Sequence, residues 1–514
     1  MDRPFLFVEV TNPTWLVYVG LLVIAVYFRF TRFLTIRNLD ITLLLLLSTA
    51  IVISVDFRDR RVPVATDAAA PSTDEQSPAL MQANSSIPTN AEESAAVESG
   101  DLAEKVASDK SEPHPAYRWA SMSLLILSLL LLVRLVLDES LTRRPRLEQN
   151  LNQAGLTFLC FPAFAILMSS VMFLNPRDST IKAMDHGKAL LERRDVTVDP
   201  RNDGGENPAP TETLIAAGGT AVAELSGTLP SVRDNSPASD AARTWLARIL
   251  VVIAHTTVVA GLVTIGRQHF GSLQLGLSMS CLYLLLPCTA INVHELSQVL
   301  PAACLIWAFA SYRNPVVAGV LLGLASGTLF FAGFLLPLWA VFYGRRGGIR
   351  FVVSVLGVTL VLMTSLMLIS GDTHSFVNKL ASTANWTVYR LLDDSLAARD
   401  TSFGQLFVRI PMAAVFFVML TAMTVLPRPR NLENLLANST SLVVAAQMWY
   451  PDDIGAYVLW YLPLFLLVIF RPRLDRFVPP EISERQHAGT VLPVSSVPSS
   501  TVATARMSLF SRMP

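Results

Sequence analysis

Residues 315–343 form an apolar stretch of 29 residues bounded by arginine, with Arg313 before it and Arg345, Arg346 and Arg350 behind it. A single perpendicular membrane crossing needs only about 20 apolar residues. Arginine collects on the cytoplasmic side of a membrane, so both ends of the stretch are expected on that side. A polar break (Ala325, Ser326, Gly327, Thr328) falls at its middle. The stretch is therefore expected to enter the membrane, turn, and come back as two short helices. Non-helical backbone at membrane depth persists only where protein buries it or water reaches it. The turn is thus a place where a membrane enzyme or a transporter keeps a cavity.

The remainder of the chain belongs to the same class. Of 514 residues, 52% are hydrophobic and 16% charged. Mean hydropathy is +0.46, and apolar runs recur along most of the length, as in multi-span membrane proteins. Spans are expected over 13–28, 41–55, 118–137, 154–174, 243–265, 273–292, 296–312, 315–326, 329–343, 351–370, 406–426, 432–448 and 454–470. The expected fold is an all-α polytopic membrane helix bundle of about 11–13 spans, re-entrant pair included, with long disordered outer loops. A formal net charge of zero gives no global field for nucleic acid. The four cysteines (Cys160, Cys281, Cys288, Cys304) fall in apolar segments without CxxC or Cys/His spacing, so neither zinc, redox chemistry nor a disulfide is expected. The first apolar run, from Trp15 to Phe28, lacks a small-residue cleavage site and is expected to stay as an anchor.

Arginine also orients the chain. The groups Arg29/Arg32/Arg37, Arg143/Arg144/Arg146, Arg267, Arg313, Arg345/Arg346, Arg428/Arg430 and Arg471/Arg473/Arg476 all fall on one side if the N-terminus is outside and the C-terminus cytosolic. The chain is expected to be an integral membrane protein in that orientation. This parity divides the chain into a two-span segment (1–56), an acidic outer loop (57–116), a second two-span segment (117–174), a second outer loop (175–241), a transmembrane core (242–476) and a cytosolic tail (477–514). Residues 57–116 are rich in Ala, Ser, Pro and acidic residues. They bury too little apolar surface to offset chain entropy, so disorder is expected. In the second loop, 179–194 carries helical patterning, with a serine cap and Ile181, Met184, Ala189, Leu190 and Leu191 on one face. Its remainder, through 202–212 and 227–240, reads as linker, and the tail is of low complexity.

Catalysis at a membrane face needs ionisable groups at the outer ends of spans. Asp56 and Asp59 follow the second span, and His294 and Glu295 occupy the short loop between the sixth and seventh. Asp372 with His374, and Asp393 with Asp394, precede the eleventh; Asp452 and Asp453 precede the last. Carboxylates also end spans simply because the interface tolerates charge. Beside Asp452, Trp449 and Tyr450 equally suit an aromatic belt. A histidine next to a glutamate suits a base or a metal ligand, or else an ordinary interfacial histidine. Arg243 and Arg248 lie on the outer half of the fifth span, against the charge bias, and suit either an anionic headgroup or an outer-loop carboxylate. Gly319, Gly323 and Gly327 share one helix face and suit close packing. Arg134 is expected to snorkel to the cytosolic interface.

The run Arg313-Asn314-Pro315, Ala318 to Ala325, the polar break, Phe334 to Leu338, then Arg345 and Arg346 resembles the middle of the GT-C-fold glycosyltransferases. The blocks YLLLP, LPAA, LLPLW and GAYVLWYLP resemble, more closely still, a group of uncharacterised multi-pass membrane proteins of planctomycete-type bacteria. The resemblance spans roughly 245–475, about half the chain. It implies a GT-C-like core, a bacterial inner (plasma) membrane as its location, and transfer of a sugar from a polyprenyl-phosphate carrier on the outer face. Asp56 is then the catalytic base with Asp59 second, Arg243 or Arg248 holds the carrier phosphate, and His294, Glu295, Asp452 and Asp453 line the substrate site. A divalent metal has a place there in offsetting charge, and membrane lipid is the expected partner. Around Thr328-Leu329-Phe330-Phe331 the chain departs from the family by lacking its basic residue. Two other readings stay open: a polytopic transporter or binding protein for a lipid-linked solute, and a non-catalytic envelope scaffold.

Overall fold

In the computed structural model the described residues are 13–30, 35–58, 61–63, 111–140, 149–196, 208–226, 237–384, 406–426, 430–449, 457–472, 474 and 477–480. They form an all-α polytopic bundle with one small ribbon. The N-terminal half holds α1 (Pro13–Tyr27), α2 (Ile36–Arg58), α3 (Pro115–Val136), α4 (Gln153–Phe173), α5 (Asp178–Glu192) and α6 (Pro210–Ser226). Then come α7 (Pro237–Gln268), α8 (Leu273–Leu285), α9 (Pro287–Ile291), α10 (Leu296–Ala310) and α11 (Pro315–Thr328). After a 3-10 turn over Phe330–Leu335 follow α12 (Leu336–Leu368), α13 (Thr373–Ala384), α14 (Leu406–Val425), α15 (Leu432–Ala446) and α16 (Val458–Phe470). Among the described residues five helical stretches are long and apolar enough to cross a membrane, and shorter apolar helices include α8, α10, α11 and α16.

Side-chain caps start several spans at one end of the bundle. Asn152 Oδ1 accepts the Gly155 N–H (2.8 Å) at α4, Asn314 Oδ1 accepts Val316 N–H (3.1 Å) at α11, and Asn431 Oδ1 accepts Asn434 N–H (2.9 Å) at α15. The same end is knitted together by Tyr343, whose hydroxyl donates to the Tyr312 carbonyl (2.7 Å), and by His269, which donates to the Ala310 carbonyl (2.9 Å). All described arginines of the orienting groups gather here: Arg29, Arg37, Arg267, Arg313, Arg345, Arg346, Arg430 and Arg471. We call it the basic end, and the opposite one, which carries the polar insertions, the insertion end.

The long apolar stretch turns where its sequence breaks. The Thr328 hydroxyl donates to the Ala325 carbonyl (2.6 Å), Leu329 is extended, and the 3-10 turn leads into α12. Within α12 the chain bends at Gly344, whose φ of 67° suits glycine. The portion beyond that bend runs alongside α11. A Cβ on Gly319 would stand 2.6 Å from the Phe351 carbonyl oxygen, and one on Gly323 3.0 Å from Val358. The glycine face is therefore a close helix–helix contact.

Four expectations need correction. Arg134 does not snorkel: it is buried and clasped bidentately by Asp40 of α2 (2.5 and 2.7 Å), with Asp138 at 2.6 Å. Arg471 joins Asp138 to Glu433 (2.9 Å), so one ionic network ties α2 and α3 to α15 and α16. The segment read as linker after 194 contains a full helix, α6, whose Ala216, Ala217, Ala221 and Ala223 favour helix and which is buried against α5, α11 and α12. Helix α5 starts at Asp178 after Arg177, without a side-chain cap, and its buried face is Thr180, Ala183, Met184, Gly187, Lys188 and Ala189. Finally, the ends of the first insertion pair as an antiparallel ribbon, Arg61–Pro63 against Ser111–Pro113. Residues 59–60 and 64–110 lie outside the described residues, as does 481–514.

Candidate functional site at the insertion end

Asp56 occupies the last turn of α2 at the insertion end and is half-buried, its neighbour Phe57 stacking on His114 at 4.7 Å. Asp59, Asp393, Asp394, Asp452 and Asp453 lie outside the described residues. Helix α7 presents the two arginines that run against the charge bias, and the structure separates their roles. Arg243 is neutralised by Asp185 of α5 (3.0 Å) and Asp240 (3.4 Å), which is the outer-loop carboxylate alternative. Arg248 instead donates from Nε to the Leu174 carbonyl at the end of α4 (3.2 Å), and its guanidinium lies 5.5 Å from the Trp245 ring. It forms no ion pair with a carboxylate among the described residues.

The His294–Glu295 pair is pulled apart chemically. Glu295, the N-cap residue of α10, is buried. It takes Arg177 Nη1 on Oε1 (2.5 Å), and the Gln298 amide donates to its Oε2. Its charge is spent on these partners. His294 is half-buried, its Nδ1 without a partner among the described residues, and its pKa lies below the ordinary 6.5, first through burial and then through Arg177. At neutral pH it is a neutral imidazole with one open nitrogen. Among the described residues no three His, Cys, Asp or Glu side chains come together as a metal site.

Arg177, Gln298, His255 and Tyr283 escaped the sequence reading. His255 Nε2 donates to the Val293 carbonyl (2.9 Å), which can only accept, so Nδ1 accepts from the Tyr283 hydroxyl (3.0 Å). This buried chain fixes the loop that carries His294 and Glu295. Arg177 was legible in principle, since it follows a span on the outer side, as Arg243 precedes one. His255 was not, because a single histidine in an apolar helix does not reveal which carbonyl it will meet.

Helix α6 covers the break of the re-entrant pair. The Thr211 hydroxyl donates to the Leu324 carbonyl (2.9 Å), and Gly187 of α5 lets the two hairpin helices touch, since a Cβ there would stand 2.6 Å from the Ala217 nitrogen. Glu212, at the third position of α6, reaches back to the Ala209 N–H in the manner of a capping box. It is buried, its Oε1 has no partner among the described residues, and burial pushes its pKa up to about 8. Lys379 Nζ meets Asp195 at 2.9 Å and the Ile369 carbonyl at 2.7 Å, tying the end of this hairpin to α13 and the end of α12. No family model, curated protein or solved structure matches the chain.

Proposed function

We propose that this protein is a GT-C-like membrane glycosyltransferase of a bacterial inner membrane, taking a sugar from a polyprenyl-phosphate carrier on the outer face. Its N-terminus is outside and its C-terminus cytosolic in this reading. The observation that carries it is Arg248. Of Arg243 and Arg248, the two arginines that α7 presents here, it is the one that meets no carboxylate among the described residues, and it stands beside the exposed Trp245. Trp245, Ile249 and Ile253 form an exposed face of α7 suited to lipid. A guanidinium that meets no carboxylate among the described residues, beside an interfacial tryptophan, suits the phosphate of a lipid carrier.

The gathering of arginine at the basic end supports the orientation. The charges near that end, Asp40, Arg134, Asp138, Arg471 and Glu433, are bound to one another, which suits a closed floor better than a conducting path. In the proposed step Asp56 accepts the proton of an acceptor hydroxyl. That oxygen bonds to the anomeric carbon, and the carrier phosphate leaves with the bonding pair, held by Arg248. No metal is invoked.

The test is sugar transfer in proteoliposomes, using a panel of radiolabelled polyprenyl-phosphate sugars with envelope lipid or protein as acceptor. Wild type should transfer label, Asp56→Asn should lose transfer, and Arg248→Ala should mainly weaken carrier use. Absence of transfer by wild type across the panel would sink the enzyme reading. Transfer that survives in Asp56→Asn would keep the enzyme and remove its base.

A further inference from the structure

Helix α6 is ordered the wrong way round for water. Leu214, Ile215, Gly218, Ala221, Val222 and Leu225 recur at helical spacing along its outer side, and Val222 and Leu225 are 65% and 88% exposed. The polar residues lie beneath, with Thr211, Glu212, Thr213 and Thr220 all buried. A surface helix bathed in water turns its apolar stripe to the core and its polar residues outward. Helix α5, the other arm of the hairpin, keeps nearer to that order. It buries Ala183 and Met184 and leaves Asp185 exposed, with Arg193 and Arg194 exposed just beyond its end. The inverted order of α6 suits surroundings less polar than the protein beneath it.

Its neighbours place α6 at the depth of such surroundings. Helix α11 has 14 residues and so rises about 21 Å from the basic end. It stops within a hydrocarbon layer about 30 Å thick, and Thr211 meets it there, at the Leu324 carbonyl. Further along, a Cβ on Gly219 would contact Leu246 and Leu250 of α7 at 3.6 and 3.7 Å. Leu250 lies about 27 Å along α7 from Gln268 and Leu246 about 33 Å, at the outer edge of that layer. Next to these leucines α7, which is long and apolar enough to cross a membrane, exposes Trp245, Ile249 and Ile253. The apolar side of α6 thus borders the side of α7 suited to lipid.

We infer that α6 is seated in the membrane leaflet at the insertion end without crossing it, its outer stripe against lipid acyl chains and its polar side over the break after α11. With 17 residues it falls short of the about 20 that a crossing needs. Helices that lie in a leaflet bury one apolar face in this way. The stripe carries no charged or hydrogen-bonding side chain that would favour a specific protein partner over hydrocarbon. The inference stands apart from the transferase reading, since it rests on neither Asp56 nor Arg248.

The experiment uses the full chain in vesicles of phosphatidylcholine and phosphatidylglycerol. It carries Cys160→Ala, the other three cysteines being buried, and a nitroxide on a single cysteine introduced as Val222→Cys or Leu225→Cys. Collisions with oxygen, which concentrates in hydrocarbon, and with a water-soluble nickel chelate are measured by power saturation. Ile253→Cys on α7 is the lipid reference and Arg194→Cys the water reference, both positions being exposed. At 222 and 225, nickel accessibility should be at least threefold below that at 194 and oxygen accessibility at least twofold above it, as at 253. Nickel accessibility equal to that at 194 would put α6 in water and overturn the inference. Low accessibility to both reagents would mean that protein covers the stripe, a second copy of the chain included, and would overturn it too. Val222→Lys and Val222→Leu, melted in the same vesicles, give an independent reading. Lysine should lower the melting temperature or prevent insertion while leucine is tolerated, because a charge at this position is costly only against hydrocarbon. Equal melting temperatures for the two would overturn the inference even if the labelled variants do not fold.

Discussion

Glu212→Gln is expected to make docking of the α5–α6 hairpin indifferent to pH over the range where wild type is most sensitive. Glu212 is 2% exposed, and the only group that shifts its pKa downward is the Ala209 N–H. Helix α11, on which α6 rests, contributes no titratable residue, and α12 carries none between Arg350 and its end at Leu368. The charged and titratable groups on the other packed elements are Asp178, Lys182, Asp185, His186, Lys188 and Glu192 of α5 and Asp240, Arg243, Arg248, His255 and Arg267 of α7. None of them contributes to the displacement of the Glu212 pKa. Moving a carboxyl from 4.5 to about 8 corresponds to on the order of 5 kcal/mol between its protonated and ionised forms.

The sign follows from linkage. The docked pKa is raised, so the stabilisation is whole below 4.5, falls as pH climbs from there to about 8, and is gone above. Glutamine mimics the protonated group and removes the slope. Amide hydrogen exchange of residues 210–226, compared between wild type and variant at each pH, cancels the intrinsic pH dependence of exchange. Near pH 4.5 the two should be equally protected. At pH 9 wild type should be less protected by roughly a hundredfold or more, given about 1.4 kcal/mol per tenfold. Equal protection at pH 9, or a variant less protected at both, would refute the reasoning.

Arg134→Ala leaves Asp40 and Asp138 buried beside a lost guanidinium and should cost about 3–5 kcal/mol; a fall in melting temperature of the detergent-solubilised protein checks this. An unchanged melting temperature would deny the network any part in joining α2 and α3 to α15 and α16. Gly319→Leu should destabilise by about 1–3 kcal/mol or more, because its Cβ meets the Phe351 carbonyl rather than a flexible side chain, whereas Gly357→Leu, which meets nothing, should be tolerated in the same melt. Arg243→Ala should loosen α5 from α7 by leaving Asp185 without that partner, while Arg248→Ala should leave stability nearly intact and reduce retention of anionic lipid during purification, read by lipid mass spectrometry. His294 has a lowered pKa, so its contribution to stability is whole above 6.5 and is lost as pH falls through the lower folded value; His294→Gln should flatten that acid limb in a melting series.

The membrane class, the span boundaries and the turn within residues 315–343 were legible in the sequence, because each depends on composition over a window. Hydropathy sets which segments leave water, arginine sets which ends gather, and a glycine-containing break marks where a helix stops. Capping asparagines such as Asn314 and Asn431 act within four residues and are local in the same sense. Partner choice was not local. Arg134 looked like a snorkelling residue until Asp40, 94 positions away, supplied its carboxylate. Arg243 and Arg248 read alike along the chain, yet one faces Asp185 and the other a carbonyl and an indole.

Helix α6 looked like linker because the stretches on either side of it are rich in proline, glycine, asparagine and aspartate, although its own alanine-bearing run favours helix and packs on α5, α11 and α12. The sequence by itself determined a multi-span helical membrane protein with a re-entrant turn, since hydrophobic partition and backbone satisfaction are decided segment by segment. Tertiary structure alone decided which charges are neutralised and which polar atoms are left open, since those depend on groups brought together from distant parts of the chain.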